Sequence, residues 1–80
     1  MMGERQKQVD EAIERALTGK SGKGKCRAVV VDGLWLVLYH YHHRLLVWEL
    51  MRGVPIDTWW ERDTDRRILR AALANLSERV

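Results

Sequence analysis

Between Glu4 and Thr18 the apolar residues are Val9, Ala12, Ile13, Ala16 and Leu17, a spacing of i, i+3, i+4, i+7, i+8. That is one stripe of an α-helix, and Gln, Glu, Lys and Arg fill the opposite side. Gly19 stands where a helix C-cap belongs, so the pattern predicts a helix over residues 4–18. Residues 19–25 are glycines and lysines with one serine, and predict an exposed basic loop.

From Cys26 to Trp60 the pattern changes to short apolar runs broken by turn residues, which predicts a sheet. Ala28-Val29-Val30-Val31 is β-branched and suits a pleat. Asp32-Gly33 is a strong two-residue hairpin signal, because both turn positions take positive φ readily. Leu34 to His40 makes the second strand, Tyr41 to His43 the next turn, and Arg44 to Met51 the third strand. After Arg52-Gly53-Val54, a fourth strand runs from Ile56 to Trp60. Pro55 lacks a backbone donor, so that strand belongs at a sheet edge. Ile68, Leu69, Ala72, Leu73 and Leu76 then form the stripe of a closing helix, residues 64–78, with Asp63 or Thr64 as its N-cap.

A two-residue turn at Asp32-Gly33 sets Val31 opposite Leu34, Val29 opposite Leu36 and Ala28 opposite Val37. Period-two alternation then sorts the sheet into two faces. One carries Val29, Val31, Leu34, Leu36, Leu38, Leu45, Val47, Ile56 and Trp60, an aliphatic seat for both helices. The other carries Ala28, Val30, Trp35, Val37, Tyr39, Leu46, Trp48, Leu50 and Trp59. Both helices are used on the aliphatic side, so the aromatic side is left for a partner, since monomers rarely expose large apolar patches. Three occupants are open: a second copy of the chain, a different protein, or stacked bases. Stacked bases fit least, because only Arg44 supplies charge among those aromatics.

Composition bounds the picture. Eighty residues give one small domain near the lower limit for independent folding, for which a second subunit is a common source of stability. With 46% hydrophobic and 31% charged residues the chain is a folding sequence rather than a disordered one. Cys26 is the only cysteine, so no intramolecular disulfide is expected. The opening segment is polar and charged, predicting no secretory leader, and no apolar run is long enough for a membrane span. A cytoplasmic protein is expected. The net charge of +3 points weakly to an acidic partner. Lys20, Lys23, Lys25 and Arg27 cluster without an acid among them, and Arg62, Arg66 and Arg70 form an i, i+4, i+8 stripe.

Candidate chemistry is sparse. Gly19 to Lys25 fits G-x-x-x-x-G-K, but Cys26 replaces the Ser or Thr of a P-loop, and the loop follows a helix instead of a strand. A flexible basic linker is the simpler reading. His40, His42 and His43 are possible metal ligands, yet no second ligand cluster completes a site, and a polar turn explains them. Cys26 has no evident base beside it, and Asp63 and Asp65 suit a helix N-terminus. No catalytic residue, metal, cofactor or small-molecule substrate is expected.

Leu38-Tyr39, the hairpin through Gly53, and Thr64 followed by Arg66-Arg67 make a Tyr-ended strand, a hairpin and a Thr-capped basic helix. In this the chain resembles small phage-encoded proteins of unknown function, over about half its length. The resemblance implies a mobile-element origin and assigns no activity. His40 and His42-His43 depart from the small or turn-forming residues found there.

The sequence therefore predicts an α+β domain in the order α-β-β-β-β-α, with a four-stranded antiparallel sheet and both helices packed on one face. The expected role is that of a non-enzymatic interaction protein. Dimerisation is assigned to Trp35, Val37, Tyr39, Leu46, Trp48, Leu50 and Trp59. An acidic partner, with nucleic acid as one candidate, is assigned to Lys20, Lys23, Lys25, Arg27, Arg62, Arg66 and Arg70. An inhibitor of a host protein, of the type to which anti-CRISPR proteins belong, is the alternative, and a metal-binding or enzymatic role the third.

Overall fold

In the computed structural model, residues 4–20, 22 and 24–79 are described. The first helix, α1 (Glu4–Leu17), ends as its sequence predicts. Gly19 takes φ +79, its N–H donates to Ala16 O, and Lys20 N–H donates to Arg15 O at 2.8 Å. This is a Schellman closure, in which a left-handed residue that glycine tolerates turns the chain off the helix.

Four strands follow: β1 (Cys26–Val31), β2 (Trp35–His40), β3 (His43–Glu49) and β4 (Val54–Thr58). They form one antiparallel sheet in the order β1-β2-β3-β4. Pro55 therefore sits on an edge strand, as its missing donor requires. The fourth strand lies two residues earlier than expected, so Trp59 and Trp60 fall in the connection to α2 (Asp63–Glu78). Helix α2 starts earlier too. Its N-cap is the extended residue Arg62, not Asp63 or Thr64, because the capping acceptor is Asp65 reaching back to the Arg62 N–H at 3.1 Å.

Both helices lie on one side of the sheet. Gln6 donates to Ala71 O at 3.2 Å, Asn75 to Asp10 at 2.8 Å, and Arg79 to Glu14 at 3.0 Å. The partners advance in step along both helices, so α1 and α2 run parallel. Val9, Ile13 and Ala16 of α1 and Ile68, Leu69, Ala72 and Leu76 of α2 close over Ala28, Leu36, Leu38, Leu45, Leu46 and Trp48. Each large side chain buried there contributes about 1.5–3 kcal/mol. Because β1 begins near the start of α1, the chain must return alongside the sheet. At Gly22 it passes so close to β1 that a Cβ would stand 2.8 Å from Arg27 Cβ and 3.3 Å from Ala28 O. Glycine thus lets the backbone at position 22 lie against the edge strand β1. Among the described residues no helix is long and apolar enough to cross a membrane.

The faces of the sheet differ from the expected ones, for two local reasons. The Asp32-Gly33 turn forms, with φ of +55 and +69 and a bond from Leu34 N–H to Val31 O. Leu34 is then left over, and the ladder pairs Val31 with Trp35 and Val30 with Leu36. One added residue reverses the parity of β1, so Ala28 and Val30 turn to the helices while Val29 and Val31 turn away. A β-bulge does the same to β3. Tyr39 pairs with Arg44 but Leu38 pairs with Leu46, leaving Leu45 extra, and both Leu45 and Leu46 are fully buried. Beyond the bulge Trp48 faces the helices and Val47 does not.

Candidate functional site

Two regions of the surface remain after the core is assembled. The first is the sheet face with no helix over it, which follows from the register in three rows. Arg27, Tyr39 and Arg44 form one end row, Val29, Val37 and Val47 the middle, and Val31, Trp35 and Glu49 the other end. Val29 and Val31 are 44% and 40% exposed. Asp57 of β4 continues the middle row beside Val47. The face is thus apolar across β1 to β3 at its centre, cationic at one end, and carries a carboxylate at the other end and at the β4 edge. Arg27 lies over the Tyr39 ring, 5.0 Å from its centroid, and donates to Tyr41 O at 3.2 Å. Arg44 meets Asp57 at 3.3 Å, and Glu49 is bonded by Arg52.

Of the expected interface residues, Trp35, Val37 and Tyr39 are brought together here, with Trp35 and Tyr39 half-buried and Val37 covered by its neighbours to 7% exposure. Leu46, Trp48 and Leu50 are not. Leu46 and Trp48 are core residues, Trp48 being 4% exposed, and Leu50 packs against that same core. The bulge at Leu45 is the physical cause. Trp59 lies beyond β4, at the end of the sheet, where its ring meets His43 edge-on at 5.2 Å.

The second region is that end of the sheet, on the helix side. The two-residue turn Tyr41-His42 pairs His40 with His43, and the β1 ladder pairs Cys26 with His40. Asp65, 2% exposed, enters from α2. Its Oδ1 lies 2.7 Å from His40 Nδ1, and its Oδ2 lies 3.1 and 3.4 Å from the N–H groups of Arg62 and Glu61. An ionised carboxylate only accepts, so His40 Nδ1 carries the proton. His43 Nδ1 stands 3.9 Å from the same carboxylate. Burial acts to raise the Asp65 pKa, but the His40 hydrogen bond and the two backbone donors outweigh it and hold the carboxyl below its usual range.

Thiol, imidazole and carboxylate together have the composition of a nucleophilic triad. Burial, however, pushes the Cys26 thiol up to about 11, whereas a cysteine nucleophile needs a thiolate near neutral pH. What the arrangement does is join the start of α2 to the end of the sheet. His42 is exposed in the turn and does not share a strand face with His40. No group of three or more potential metal ligands is found among the described residues.

The expected cations divide. Arg66 is tied to Asp63 at 3.0 Å and lies 5.4 Å from the Trp60 ring centroid. Arg70 is exposed on α2, Lys20 follows the α1 closure, Arg27 belongs to the sheet face, and Lys23 lies outside the described residues. Arg62 and Lys25, distant in sequence, line one cleft of about 430 Å³ together with Arg5. Arg5 and the His40–Asp65 pair escaped the sequence reading. Arg5 sits in an ordinary polar stretch, and the pair is separated by 25 positions. The one available signal was an acid three places after a residue unable to cap. Comparison with protein-family profiles, with characterised proteins and with solved structures finds no match to this chain.

Proposed function

We propose that the protein is a non-enzymatic interaction module that self-associates through its open sheet face and engages an acidic partner through its basic surface. The observation that carries this reading is the face itself: apolar, without a helix, and opposite in charge at its two ends.

Face-to-face pairing of two copies uses a two-fold axis lying between the sheets. An axis along β2 would set Arg27 over Arg44 of the second copy, like against like. An axis across the strands sets Arg44 over Glu49 and Tyr39 over Trp35, with the valine row, and Asp57 at its β4 end, lying on itself. Each Arg44 then meets a Glu49 of the other copy against one Asp57–Asp57 contact at the edge, so the charge pattern favours the second. Both charges have exposed partners within their own chain, and such pairs are worth only about 0–1 kcal/mol, so exchanging them costs little. Four strands by three rows make a patch of about 400 Å² from standard sheet spacings. That is near half of a standard interface side, so dilution should dissociate the dimer.

Light scattering across a dilution series tests this. The wild type should show a mass that rises from one copy towards two, and Val29→Lys should hold it at one copy with the far-ultraviolet spectrum unchanged. A wild type that stays monomeric at the highest concentration overturns self-association.

A further inference from the structure

We infer that the cleft at the end of the sheet binds a phosphate monoester. This names the acidic group of the reading above, and rests on that reading only for the idea that an acidic partner exists. Arg5 comes from the first turn of α1, Lys25 from the end of the return loop, and Arg62 from the residue before α2, yet all three line one cleft of about 430 Å³. None of the three has an ion pair or side-chain hydrogen bond among the described residues. Arg44, Arg52, Arg66, Arg67 and Arg79 each have a carboxylate, and the other cations without one in an ion pair, such as Lys7, Lys20 and Arg70, do not line this cleft.

Among the described residues the only acid lining the cleft is Asp65, and its two oxygens already accept from His40, Arg62 and Glu61. Three cations against one satisfied carboxylate leave an excess of two positive charges. A phosphate monoester carries about −1.5 to −2 at neutral pH and three acceptor oxygens, which matches both the charge and the number of separate donors. A single carboxylate supplies about half of that charge and offers two oxygens to cations supplied by three elements.

Tyr41 adds a second, independent observation. It lines the same cleft and is 51% exposed, and its backbone takes φ +55, a left-handed conformation that a bulky side chain rarely adopts. Glycine would make this turn without strain. Strain of this kind is kept where a side chain is needed, and here it holds an aromatic ring against His40, 4.6 Å between centroids. The ring is a surface for the organic group that bears the phosphate.

The test is a titration followed through the His40 and His43 imidazole resonances at constant ionic strength. The probes are inorganic phosphate, a 5′-phosphorylated thymidine oligonucleotide, and the same oligonucleotide without its terminal phosphate. Saturable shifts with phosphate support the site. Removing one charge-assisted contact by Arg62→Gln or Lys25→Gln should weaken binding roughly tenfold or more, while Lys7→Gln on exposed α1 should not. Tighter binding of the phosphorylated oligonucleotide than of inorganic phosphate identifies a nucleic-acid end as the source, and equal binding a small free phosphomonoester. Shifts that never saturate, equal weakening by Lys7→Gln, or equal binding of the two oligonucleotides overturns the proposal. Light scattering on the same samples reports self-association separately, so failure of one reading is distinguishable from failure of the other.

Discussion

Removing the Asp65 carboxylate should reach further than any surface change in this protein. Asp65→Ala takes away the acceptor of His40 Nδ1–H at 2.7 Å and of two backbone N–H groups at 3.1 and 3.4 Å. A hydrogen bond to a charged group contributes about 1.5–3 kcal/mol. A helix cap contributes about 1 kcal/mol. Glu61 and Arg62 are exposed, so water can take over one backbone donor, and the sum is set at about 3 kcal/mol. That is a large share of the ~5–15 kcal/mol that holds a domain together. Asp65→Asn keeps one acceptor oxygen and should cost about half as much.

Urea denaturation followed by tryptophan fluorescence, at one protein concentration, measures these values. A double-mutant cycle with His40→Ala should return a coupling of about 1 kcal/mol or more. The pH dependence has a definite sign. The Asp65 carboxyl is held low in the fold and returns to its ordinary range on unfolding. Its contribution is therefore complete above about pH 4 and is lost as pH falls through the folded-state value, where the gap between wild type and Asp65→Asn should close. A cost below about 1 kcal/mol for Asp65→Ala, or additive His40 and Asp65 effects, would refute the role given to this contact.

Two further outcomes are expected. Trp48→Ala should cost about 3–5 kcal/mol and loosen the whole core, whereas Val29→Lys on the open face should leave the melting temperature of the monomer nearly unchanged; thermal scans of the two distinguish a core tryptophan from an interface one. Cys26, whose thiol is raised from 9.0 to about 11, should react with iodoacetamide at pH 8 about a hundredfold more slowly than a free thiol, and urea should abolish the protection.

Much of this architecture was legible because it is written in local patterns. The stripe from Val9 to Leu17 and the glycine at position 19 specify a helix and its end without reference to anything distant. Asp32-Gly33 and the short polar stretch at Tyr41-His42 specify turns, and Pro55 an edge. The facing of residues was not legible, because parity depends on single extra residues at Leu34 and Leu45, whose placement is settled by how Trp48, Leu46 and Ala28 pack against the helices. An open face was foreseeable from having two helices for two apolar faces, but only Trp35, Val37 and Tyr39 on it were. The basic cleft was hidden for another reason: Arg5, Lys25 and Arg62 come to line one cleft only once the sheet end and both helices are assembled.

The Leu45 bulge decides which side of β3 is the inside. With the Tyr41-His42 turn unchanged, a regular ladder through both leucines would set Val47 opposite Leu36, and Trp48 would leave the interior for the outer face. An indole would be exchanged for an isopropyl group in the core with no change of sequence at all. Loss of one leucine from the Leu45-Leu46 pair has the opposite result: it removes the surplus residue and keeps Trp48 opposite Leu36, so the facing survives while one buried side chain is lost. Leu34 stands in the same relation to β1, because without it the Asp32-Gly33 turn still pairs Val31 with Trp35. The sheet therefore tolerates a shortening at either position as far as its faces are concerned, and depends on the surplus residues being held out of the ladder while they are present.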